Sequence, residues 1–102
     1  MTGKEQQISR IRRYEEMLNE AKDVLRRAET AIEAYAKVRP KIRKLEKYYT
    51  GSTWKKDFRA SETGKLPADL PCGVLSEDGI DDLLEEDREL REMIREFFVN
   101  ED

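Results

Sequence analysis

The chain has 102 residues, enough for one domain with a single modest core, and 42% of them are charged against 37% hydrophobic. Its one cysteine, Cys72, excludes an internal disulfide. The absence of histidine excludes imidazole acid–base catalysis, Ser–His and Cys–His nucleophile pairs, and any zinc or di-iron site that needs a nitrogen ligand.

The formal charge of −3 is unevenly spread: residues 1–60 carry 16 Lys/Arg against 9 Asp/Glu, and residues 61–102 carry 4 against 14. Halves of opposite sign attract each other within one small domain, or each meets a partner of opposite charge. No apolar run approaches the roughly 20 residues that span a bilayer, and Met1-Thr2-Gly3-Lys4-Glu5 has no secretory core. A lone thiol fits a reducing cytoplasm.

Residues 8–38 are written in heptads. Ile11, Leu18, Leu25 and Ile32 share one position, and Tyr14, Ala21, Ala28 and Tyr35 follow three residues later. Met17, Val24, Ala31 and Val38 precede the first set by one residue. Three apolar positions in seven predict a helix with a broad apolar stripe, over about residues 5–38, with Asp23–Arg27 and Glu33–Lys37 pairs on its wet face. Pro40 lacks a backbone donor and disfavours helical geometry at Arg39, which predicts a kink or short break over Val38–Pro40 and a second helix over 41–49. Ile42, Leu45 and Tyr49 nevertheless stay in phase with the stripe.

Thr50-Gly51-Ser52-Thr53 reads as a turn, with Gly51 at positive φ and Ser52 or Thr53 capping a short helix over 53–61. Tyr48, Tyr49, Trp54 and Phe58 gather aromatic area at this corner, as core packing rather than a ligand platform. Gly64, Pro67, Pro71 and Gly73 make 62–75 a loop, which Leu66, Leu70, Val74 and Leu75 can pin down. Cys72 lies in it as a small packing residue.

Ser76 is an N-cap for a last helix over 76–98. Glu77, Asp78, Asp81 and Asp82 complement its dipole, and Leu75 and Ile80 form a hydrophobic staple. Ile80, Leu83, Leu84, Leu90, Ile94, Phe97 and Phe98 are its expected buried stripe. Asp87 interrupts that stripe, which predicts either a bend near residues 86–88 or a basic partner.

The eight carboxylates of residues 77–89 fit no calcium loop in either register, because Ile80 or Gly79 falls where an oxygen ligand is needed. The five glycines are scattered singly, so there is no phosphate loop. No catalytic residue, metal ligand or cofactor is expected.

Tyr48-Tyr49, Ser52, Trp54, Asp57, Leu66-Pro67, Asp69-Leu70, Gly73-Val74-Leu75-Ser76-Glu77-Asp78 and Leu83-Leu84 together resemble a family of small bacterial proteins catalogued as a domain of unknown function. The resemblance covers about Tyr14 to Met93. It implies a bacterial, intracellular, helical protein and carries no activity over.

The expected fold is all-α, an elongated bundle of about four helices in a single domain. The expected role is non-enzymatic, a protein–protein interaction or scaffold module. The stripe outreaches the cover that a last helix can give, so Ile8, Ile11, Tyr14, Met17 and Leu18 form a candidate surface for a homodimer or another protein, unless Pro40 makes a full turn. Ala21 and Ala28 permit close approach of a second helix. The alternative is nucleic-acid association through Lys37, Arg39, Lys41, Arg43, Lys44 and Lys47.

Overall fold

The computed structural model describes residues 2–100, and among them every regular element is helical. Helix α1 runs Gly3–Tyr49, α2 Ser52–Glu62 and α3 Gly79–Asn100, with a 3-10 turn at Gly73–Leu75. There are thus three α-helices rather than the four expected. The chain falls into two compact units, one up to Arg39 and one from Pro40 on, and each is described by itself.

The first helix starts earlier than its stripe because of a capping box. Thr2 Oγ1 accepts the Glu5 N–H at 3.2 Å, and the Glu5 carboxylate accepts the Thr2 N–H at 3.3 Å. Its expected break at Pro40 does not occur: residues 41–49 belong to the same helix. An interior proline costs about 3 kcal/mol, but good helix formers surround it. Ile42, just beyond, is buried, while Tyr48 and Tyr49 are half-buried, and this packing anchors the turns after the proline.

In the C-terminal unit, α2 and α3 both pack on the 3-10 turn rather than on each other. Bundle-like pairing of these helices is replaced by convergence on three residues. Leu75 and Ile80 are buried at that junction, the staple expected around Ser76. The Ser76 hydroxyl donates to the Gly73 carbonyl at 2.8 Å and accepts the Gly79 N–H at 3.0 Å. One side chain thereby closes the turn and holds the first N–H of α3, which begins at Gly79 rather than at residue 76 because residues 77–78 form a turn. A Cβ on Gly79 would lie 2.4 Å from the Gly73 oxygen and 2.6 Å from Ser76 Oγ, so the junction admits only glycine there.

Trp54 ties α2 to the same turn. Its Nε1–H donates to the Val74 carbonyl at 3.0 Å, its ring stacks on Phe58 at 5.1 Å, and it meets Tyr49 edge-on at 4.9 Å. The chain reverses after α2 through Gly64 at φ 70°, where Lys65 N–H reaches Ala60 O (3.0 Å) and Gly64 N–H reaches Ser61 O (3.3 Å).

Two local expectations need correction, and the choice left open at Asp87 is decided. Gly51 is extended, at φ −97° and ψ 171°, and itself precedes α2, which gains no side-chain cap from Ser52 or Thr53. The end of α1 is closed instead by Thr50, whose hydroxyl and N–H both reach Glu46 O at 3.0 Å. Helix α3 does not break at Asp87. That carboxylate is only 6% exposed and pairs with Arg91 Nε at 3.1 Å, an i, i+4 ion pair that lets an acid occupy an apolar position.

Trp54→Ala is expected to cost about 2–3 kcal/mol, just below the roughly 3–5 kcal/mol of fully enclosed aromatics, because the ring is half-buried. Trp54→Phe keeps the stacking and loses the bond to Val74, for about 1 kcal/mol. Urea midpoints check both, and a midpoint unchanged in Trp54→Ala would show that the ring does not hold the turn.

Candidate interaction surface

Helical periodicity gathers the apolar residues of α1 on one side, and nothing in its own unit covers them. Ile8, Ile11, Tyr14, Met17, Leu18, Val24, Leu25 and Ile32 are between 42% and 68% exposed. Soluble proteins rarely present a contiguous apolar patch of more than a few hundred Å² without a use for it. The five residues singled out from the sequence, Ile8, Ile11, Tyr14, Met17 and Leu18, are all exposed, as are Val24, Leu25 and Ile32 further along the helix. The Arg13 guanidinium sits 5.3 Å from the centre of the Tyr14 ring, and Asp23 pairs with Arg27 at 3.0 Å among exposed side chains.

The basic candidates follow on the same helix. Lys37, Lys41, Arg43, Lys44 and Lys47 are exposed, while Arg39 is half-buried, with its guanidinium 5.8 Å from the Tyr35 ring centre. No described helix is long and apolar enough to cross a membrane.

A second apolar surface was not anticipated. Ile94, Phe97 and Phe98 were expected inside, yet they are 39%, 63% and 68% exposed, with Met93 and Val99 beside them. The 3-10 turn covers only the start of α3, and no element of that unit reaches its last turns. The Phe97 and Phe98 rings meet edge-to-face at 5.6 Å. Of the expected stripe, Ile80 is buried and Leu83, Leu84 and Leu90 are half-buried.

The C-terminal unit also holds an open cleft of about 360 Å³, lined by Tyr48, Asp57, Leu66, Leu70, Pro71, Cys72, Val74 and Leu75. Of the four apolar residues expected to pin the loop, Leu75 is buried and Leu66 half-buried, while Leu70 and Val74 stay exposed, and the cleft's polar feature is a single pair. The Tyr48 hydroxyl donates to Asp57 Oδ2 at 2.5 Å. The bond to Asp57, then burial and the carboxylate's charge, push the Tyr48 pKa from 10.0 up to about 12. A phenol held this firmly in its protonated form is a structural donor rather than a base. Cys72 is free and half-buried on the apolar wall. The pairing across the α1–α2 turn escaped periodicity analysis, which does not connect residues nine apart.

Because the folded value lies above the ordinary one, the contribution of this pair is complete below pH 10 and is lost as pH rises through about 12. Tyrosinate absorbance should show one of the four tyrosines ionising last. Asp57→Asn should bring it back towards the others; an unchanged titration would mean that Asp57 is not the cause.

In comparisons with known proteins, the family model described as "Domain of unknown function (DUF4298)" matches residues 11–97. That range takes in most of the exposed stripe, the aromatic corner, the cleft and most of α3. No curated protein and no solved structure matches.

Proposed function

We propose that this chain, which belongs to the DUF4298 family, a domain of unknown function, is a non-enzymatic protein–protein interaction module acting through helical surfaces. One observation carries the reading: the apolar stripe of α1 from Ile8 to Ile32 is exposed along its length. Such a stripe is shaped to receive another amphipathic helix, by the i, i+3, i+4, i+7 spacing common to helix-in-groove and coiled-coil recognition. The setting that suits the free Cys72 is a bacterial cytoplasm.

A second reading has its own support. Five of the six basic side chains between Lys37 and Lys47 are exposed, and clustered cations on a helix bind phosphate backbones. That binding would fall steeply between low and moderate salt, whereas association through the stripe would hold.

Light scattering at micromolar concentration tests the first reading. The wild type should form a defined assembly heavier than its 12.0 kDa chain mass, and Leu18→Asp/Leu25→Asp should return it to that mass. A wild type that stays at 12.0 kDa contradicts the reading.

A further inference from the structure

We propose that the stripe is filled by the same stripe of a second copy, antiparallel about a two-fold axis beside Asn19 and Glu20, with Leu18 against the partner's Ala21. The inference rests on the reading of α1 as an interaction surface and names its occupant.

The spacing favours a supercoiled helix partner. Ile11, Leu18, Leu25 and Ile32 recur at seven residues, as do Tyr14, Ala21, Ala28 and Tyr35. A strict seven-residue period keeps one seam facing a partner only when both helices wind left-handedly around each other.

Size decides the direction. A parallel pair would set Ala21 on Ala21 and Ala28 on Ala28, leaving two thin layers, with tyrosine on tyrosine nearby. An antiparallel pair places the first set against the second, so every alanine meets a leucine or isoleucine and the layers fill evenly.

Charge and burial then decide the register among three alignments one heptad apart. In the first, Leu18 meets the partner's Ala21, Ile11 the partner's Ala28 and Tyr14 the partner's Leu25. Glu15 flanks the partner's Lys22 on one side, twice by symmetry, and Met17 lies by the partner's Val24 on the other. In the second, Leu18 meets the partner's Ala28, but Lys22 faces the partner's Lys22 and Glu15 the partner's Glu29, so like charges oppose. The third draws Ile42 into the seam, and Ile42 is already only 8% exposed. The first alignment alone pairs opposite charges while using side chains that are all exposed.

The paired side chains are also free to be covered: Ile11, Tyr14, Met17, Leu18, Val24 and Leu25 are each between 47% and 68% exposed, and one side of a stable interface takes about 800 Å².

Cross-linking in a Cys72→Ser background tests the pairing. An equimolar mixture of Leu18→Cys and Ala21→Cys chains should oxidise to a mixed disulfide dimer of about 24 kDa, twice the chain mass. A cross-link formed instead between Leu18→Cys and Ala28→Cys, or between two Leu18→Cys chains, overturns the register or the direction. The absence of the mixed disulfide in a protein of dimeric mass overturns the pairing and leaves the interaction reading standing; a single-chain mass overturns both.

Charge reversal gives an independent readout. Glu15→Lys should weaken self-association about tenfold, and adding Lys22→Glu should restore it. A Glu15→Lys chain that associates more tightly points to the second alignment and contradicts the first.

Discussion

The constraint on which the N-terminal half depends is hydrophobic: a helix face of eight large apolar side chains has no cover within its own unit. Burying each such side chain is worth about 1.5–3 kcal/mol, whereas isolated helices are marginal in water even with favourable sequences. The capping box at Thr2–Glu5 and the Asp23–Arg27 pair help locally, by amounts too small to substitute for packing. On the proposed reading, folding of this half and recognition of its partner are one event.

The C-terminal unit meets the opposite demand. It buries few apolar side chains, and it brings α2 and α3 together on one 3-10 turn. Ser76 joins that turn to α3, Val74 offers its carbonyl to Trp54, and Leu75 fills the space between. The cleft of Tyr48 and Asp57 is what remains open beside this arrangement. Its apolar walls and single protonated phenol suit a packing function.

Much of this was legible because it is written locally. The heptads of α1, the Ser76 cap with its Leu75–Ile80 staple and the stack of Trp54 on Phe58 all follow from spacings of three to seven residues. Pro40 misled because its cost is real yet is set against the good helix formers around it and the packing beyond it at Ile42, Tyr48 and Tyr49. Gly51 could take positive φ, but the Thr50 bonds to Glu46 close the helix without requiring it. Asp87 was recognised as anomalous, and of the two outcomes foreseen the ion pair with Arg91 prevailed. Phe97 and Phe98 show the converse limit: an apolar stripe states that a face wants burial, and it does not state that the chain supplies the cover.

Hydrogen exchange at two protein concentrations addresses the central claim most directly. If a second copy covers α1, amides of residues 8–35 should be protected at high concentration and exchange faster on dilution, while those of residues 73–84 keep their protection throughout. Exchange along α1 that does not change with concentration would contradict the account.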